Sequence, residues 1–175
     1  MVYWSGVQGE FYCLVMQILG PNIKQLFDFC EENFTIKTII MIAKQVIQRL
    51  EYIHELGYIH RDIKPENIMI GQGKKASTVF LIDYGLVKRY ICPQTGKHLE
   101  RKPNKGVFGT TRYLSKQANE GYEQCRADDL FALGNILVMF YKNGVLPWDM
   151  APLPPLVIDD KDPLIYQKTL ERQAA

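Results

Sequence analysis

One eight-residue run, His60-Arg61-Asp62-Ile63-Lys64-Pro65-Glu66-Asn67, followed by Asp83-Tyr84-Gly85, constrains this chain more than any other feature. The sequence on either side says how those polar groups reach one place. Thr35 is placed to cap a helix in which Ile36, Ile39, Ile40, Ala43, Val46, Ile47, Leu50, Ile53 and Leu56 recur at three- and four-residue spacing, and Gly57 ends it. Beyond the run, Ile68-Met69-Ile70 and Val79-Phe80-Leu81-Ile82 read as short apolar strands joined by a turn at Gly71-Gln72-Gly73-Lys74-Lys75. The second strand delivers Asp83 back toward Asp62.

The chemistry follows from the groups. The run matches H-R-D-x-x-x-x-N at each fixed position. Asp62 is ionised at neutral pH, since an ordinary aspartate titrates at about 4, and can take the proton of an attacking hydroxyl. Lys64 can set an ammonium beside a phosphate. Asn67 and Asp83 offer oxygen ligands that suit a hard cation such as Mg2+. Together they are the equipment for moving a phosphoryl group from a nucleotide to a hydroxyl, where positioning and charge neutralisation do most of the catalysis. Gly71, Gly73 and Ala76 spell G-x-G-x-x-A, but no helical pattern follows, so they read as a turn.

Elsewhere the pattern predicts an N-terminal hairpin, with Val2–Trp4 and Phe11–Leu19 joined through Gly6-Val7-Gln8-Gly9. Gly20-Pro21 breaks the chain, and Asn22 caps a short helix carrying Ile23, Leu26 and Phe27. A helix from Asp128-Asp129 to about Tyr141 is apolar nearly all round and is expected to be buried on several sides. Residues 88–116 are loop-like and carry Lys88, Arg89, Lys97, Arg101, Lys102, Lys105, Arg112 and Lys116 against the single acid Glu100. Such a cluster attracts acidic or phosphorylated segments. Its few aromatics make it a poor surface for single-stranded nucleic acid.

At 175 residues the chain has room for about one domain. A hydrophobic share of 47% beside 23% charged residues is that of a soluble globular protein. No apolar run reaches the roughly 18 residues of a bilayer span, so no membrane partner is expected. No signal-peptide pattern opens the chain. Cys13, Cys30, Cys92 and Cys125 are scattered without a C-x-x-C pair, which predicts reduced thiols in an intracellular protein of the cytoplasm or nucleus. His54, His60 and His98 have no metal-ligand spacing.

These residues resemble the eukaryotic protein kinases and, within them, the casein kinase I family. Beyond the run itself, the likeness rests on Trp4-Ser5-Gly6, Gly9, Val15-Met16, Leu19-Gly20-Pro21, Leu26-Phe27 and Glu51-Tyr52-Ile53-His54. It continues through Thr95, His98, Lys105, Gly109-Thr110 and Arg112-Tyr113. Glu123-Gln124, Arg126, Asp128-Asp129-Leu130, Leu133-Gly134 and Leu146-Pro147-Trp148 complete it. The absence of an A-P-E triplet after Gly109-Thr110 also fits that family.

The resemblance implies an α+β, protein-kinase-like fold: a short β-hairpin, a hinge and a mostly helical C-terminal lobe, with the N-terminal lobe largely missing. Residues 1–150 would be a partial kinase domain and 151–175 a divergent, proline-containing tail. It implies a serine/threonine protein kinase of casein kinase I type, present as a truncated domain, that uses ATP and Mg2+. Its protein substrates would be acidic or already phosphorylated. Asp62 and Lys64 would be catalytic, and Asn67 and Asp83 would bind metal. Met16 would be the gatekeeper, Gln17 to Leu19 the adenine-binding hinge, and Met69 and Ile82 the floor of the adenine pocket. Arg112 and Lys105 would bind an anion, and Asp129 would brace the catalytic loop.

The chain also departs from the family. Gln17 stands for the usual Glu, Gln25 for the Asp that meets the ribose, Leu99–Pro103 for a more regular stretch, and Lys116-Gln117 for Ile-Asn. No glycine-rich phosphate loop or strand lysine precedes Trp4. The alternative expectation is therefore a non-catalytic, pseudokinase-like module that binds acidic or phosphorylated partners.

Overall fold

The computed structural model describes residues 2–149; the proline-containing tail of 151–175 lies outside the described residues. The chain opens with an antiparallel hairpin of β1 (Val2–Gln8) and β2 (Phe11–Met16). β1 runs further than the sequence pattern suggests, and Gly9-Glu10 makes a tighter turn, with Gly9 at φ 62°. Both faces of the hairpin are open: Trp4, Phe11, Tyr12, Leu14 and Val15 are exposed.

α1 (Ile23–Phe29) follows the break. Asn22 accepts the Gln25 N–H, and the Gln25 side chain returns to the Asn22 N–H, a complete capping box. α1 buries Ile23 and Phe27. Phe27 packs edge-on against Phe34 and at a tilt against Phe140, at ring distances of 5.0 and 4.9 Å.

α2 (Ile36–Glu55) starts at Thr35, whose hydroxyl accepts the Thr38 N–H. Gly57 follows its end at φ 85°, a left-handed conformation that glycine adopts without cost. The buried face is Ile39, Ile42, Val46, Leu50 and Ile53. Four residues of the expected apolar stripe, Ile36, Ile40, Ile47 and Leu56, instead lie exposed. Burial on one side of α2 leaves room for a narrower stripe than its apolar content suggests.

β3 (Tyr58–Ile59) pairs with β6 (Lys88–Arg89), and β4 (Ile68–Ile70) with β5 (Val79–Leu81), both antiparallel. The unpaired side of β5 is served by α2: Gln45 and Arg49 hydrogen-bond the backbone of Ser77 and Val79. α3 (Lys116–Asn119) is a single turn capped by Ser115. α4 (Arg126–Tyr141) packs antiparallel on α2 through Leu133, Ile136 and Phe140. The expectation of burial on several sides fails for one face: Leu130, Phe131, Val138 and Tyr141 are exposed among the described residues. No helix of the described residues is long and apolar enough to cross a membrane.

Candidate active site

The loop between β3 and β4 is held in place from below. Asp129 in α4 is almost fully buried, and its carboxylate accepts the backbone N–H groups of His60 and Arg61, both at 2.9 Å. His54 Nε2 lies 2.8 Å from the same carboxylate. Arg61 is thereby fixed at φ 69°, a left-handed conformation that non-glycine residues rarely adopt. Its side chain donates to Leu86 O and lies over the Phe108 ring.

His60 ties the loop to the strand pair. It is fully buried, donates from Nε2 to Ile82 O at 3.1 Å and accepts the Asp62 N–H on Nδ1 at 3.3 Å. Burial, outweighing the nearby carboxylates, pushes its pKa down, so the ring is neutral at physiological pH. One imidazole thus sets both the backbone of Asp62 and the residue before Asp83.

Asp62 sits at the centre of a donor cluster. Lys64 Nζ reaches its Oδ2 at 2.9 Å. Thr110 donates both its N–H (3.1 Å) and its hydroxyl (2.8 Å) to Oδ1. Asn67 Nδ2 donates to Asp62 O at 2.9 Å and to Oδ2 at 3.1 Å. Burial pushes the Asp62 carboxyl up, but the bonds from Lys64, Thr110 and Asn67 outweigh it and hold the group below the ordinary value. Thr110 can approach because Gly109, at φ 95°, crosses Arg61 closely: a Cβ there would meet Arg61 O at 2.2 Å.

The β4–β5 register brings Asn67 and Asp83 to the same end of the ladder, through Ile82 N–H to Asn67 O at 3.0 Å. Asn67 spends its amide nitrogen on Asp62, which leaves its oxygen for a cation. Asp83, at φ 61°, is exposed and accepts the Gly85 N–H. Two hard oxygen donors, one charged, fit Mg2+, which keeps waters and takes its remaining ligands from phosphates.

The segment Gln17–Pro21 lies at the other end of the ladder. Gly20 N–H bonds Ile70 O at 2.8 Å, Ile70 N–H bonds Pro21 O at 3.1 Å, and Gln72 donates to Leu19 O. Met69 bridges to Asn22. Met69 pairs with Phe80 across the ladder, Ile82 N–H bonds Asn67 O, and Met16 ends the exposed β2.

The basic stretch is less free than its composition implies. Arg101 grips Asp128 through two bonds, Lys88 pairs with Glu123, and Arg112 pairs with Asp149 at 2.7 and 2.9 Å while donating to Gly144 O. The Asp149 bonds, opposed by partial burial, push Arg112 up, and Arg112 in turn holds Asp149 below the ordinary carboxylate value. An anion at Arg112 would have to displace Asp149. Lys105 is exposed, its backbone bonded to Gly121 O.

Sequence reasoning paired neither Thr110 with Asp62, nor Arg101 with Asp128, nor His54 with Asp129. These pairs join residues 48, 27 and 75 apart, and no local periodicity signals them. The family model described as protein kinase domain matches residues 3–153 of this chain.

Proposed function

Because the chain belongs to the protein kinase domain family, we propose that it is a serine/threonine protein kinase of casein kinase I type, transferring the γ-phosphoryl group of ATP to protein hydroxyls inside the cell. The observation that carries this reading is the Asp62 cluster: a carboxylate kept ionised by Lys64, Thr110 and Asn67 on a loop braced from α4.

In this reading Asp62 accepts the proton of the substrate hydroxyl, and Thr110 and Lys64 fix the carboxylate so that no side-chain reorganisation accompanies the transfer. The Lys64 ammonium offsets charge on the transferring group. Asn67 and Asp83 would hold Mg2+, which when bound neutralises the charge on the nucleotide phosphates. The hinge Gln17 to Leu19, with Met16 at its entrance and Met69 and Ile82 beneath, would receive the base. His60 and Asp129 are positioning residues that act through the loop backbone.

Exposed Lys97 and Lys105 would supply the preference for acidic or phosphorylated substrates, because Lys88, Arg101 and Arg112 already face acids. The same pairing weighs against a purely anion-binding module. The four free cysteines suit a reducing compartment. Phosphotransfer from Mg-ATP to serine, threonine and tyrosine peptides with acidic flanks tests the reading. We expect transfer to the first two alone, abolished by Asp62→Asn. Equal rates in that variant refute it.

A further inference from the structure

α2 has two sides. One packs on the core, and the other carries a row of Ile36, Ile40 and Ile47, which are 56, 61 and 47% exposed. The row borders a groove lined by Ile47 and Glu51 of α2 and by Leu130 of α4, itself exposed. Single apolar side chains on a surface are ordinary, but a contiguous row marks a surface that is covered by something.

Charges run beside this row at a fixed interval. Lys37, Lys44 and Glu51 stand seven residues apart, as do Ile40 and Ile47. Seven residues bring a helical side chain back to the same flank, so the charges form one line beside the apolar one. Lys37, Lys44, Glu51 and Glu55 are all exposed, and none is in an ion pair among the described residues. The two exposed cations lie in the N-terminal half of α2 and the two exposed acids in the C-terminal half, with no acid in the first turn. That order is the reverse of what the helix dipole favours, so it does nothing for α2 alone. It suits a helix that carries the same charges and runs the other way.

We propose that this face is the interface of a symmetric dimer, in which α2 packs antiparallel on α2 of a second copy. Reversing one of two identical helices brings equivalent flanks together. About a twofold axis near Ile47, Ile47 meets its own copy and Lys44 lies opposite Glu51, twice by symmetry. Sliding by one heptad would set Lys44 on Lys44, so the charges also select the register. Two cations and two acids make the stripe neutral, which lets it meet itself without net repulsion. Between Ile36 and Leu56 eleven residues are exposed. That is about half of the 20–30 residues a side of a standard interface, which places the dissociation constant at about 10–100 µM.

The test is sedimentation velocity of the full 175-residue chain at about 1–300 µM, a range that brackets such a constant. Wild type is compared with Lys44→Glu, with Glu51→Lys and with an equimolar mixture of the two variants, each checked by a thermal melt. Wild type should show a monomer–dimer equilibrium that weakens with added salt. Each reversal turns two attractive contacts into two repulsive ones and should raise the dissociation constant about tenfold or more. The mixture should return to within about threefold of wild type, because acids at both positions of one chain then face lysines at both positions of the other. A wild type that stays monomeric overturns the proposal, and the face is then covered by a different partner or by residues 151–175. A dimer that neither reversal weakens, or a loss that mixing does not repair, overturns it as well and moves the contact to another surface, such as the exposed β1–β2 hairpin.

Discussion

Replacing Asp129 tests how the loop is held. Its buried carboxylate accepts two backbone donors, His60 N–H and Arg61 N–H, and it also faces His54. In Asp129→Ala those donors stay buried without acceptors, each costing about 1–3 kcal/mol. Two donors make a loss of about 4 kcal/mol, because solvent can reach the partly buried Arg61 group and relieve some of the cost. Arg61 also loses what holds it at φ 69°, so the loop should relax toward an ordinary conformation. For a chain of this length the loss lowers Tm by about 8–16 °C. Asp129→Asn, which retains one acceptor oxygen, should fall between, and His54→Ala should cost about 1 kcal/mol. Urea unfolding gives the energies, and amide exchange at His60 and Arg61 localises them. An Asp129→Ala loss under about 1 kcal/mol with unchanged protection at both amides would refute the brace.

Asp62→Asn should cut phosphotransfer by about 10²–10⁴-fold while leaving a cooperative melt, read by peptide phosphorylation and circular dichroism. Asp62 has a depressed folded pKa, so its bonds to Lys64 and Thr110 stabilise the fold fully above the unfolded carboxylate value of about 4 and are lost as pH falls through the folded value. Unfolding free energies measured downward from neutral pH should show that acid-side loss in wild type and a smaller one in Asp62→Asn. Asp149→Ala breaks a partly exposed pair worth about 1 kcal/mol or less, and the freed Arg112 should bind a phosphoserine peptide more tightly by fluorescence anisotropy. Phe27→Ala empties a site between Phe34 and Phe140 and should cost about 3–5 kcal/mol in urea unfolding.

Local chemistry made much of the fold legible. The caps at Asn22 and Thr35, the strands around the turn at 71–75 and both long helices follow from spacing and start signals that act within one or two turns. Periodicity reads which residues are apolar, but not how wide a neighbour will cover them. Ile36, Ile40 and Ile47 therefore looked like core, and the open face of α4 looked buried. In the candidate site, Asp62, Lys64 and Asn67 are legible because they share one loop, and Asp83 because one short strand returns it. Thr110 reaches Asp62 only through the crossing of Gly109 over Arg61, a tertiary event without a local signature. The same limit hid the acids that face Arg101 and Arg112: composition shows a basic run, and only the fold brings Asp128 and Asp149 to it.

The central claim is that hinge, ladder and metal ligands form one nucleotide site. Calorimetry of Mg-ATP with the 175-residue chain, beside Asp83→Asn, tests it most directly. We expect saturable binding that the substitution weakens, because it removes the charged member of the Asn67–Asp83 donor pair. A folded chain that binds no Mg-ATP, or one whose affinity Asp83→Asn leaves unchanged, would contradict the account.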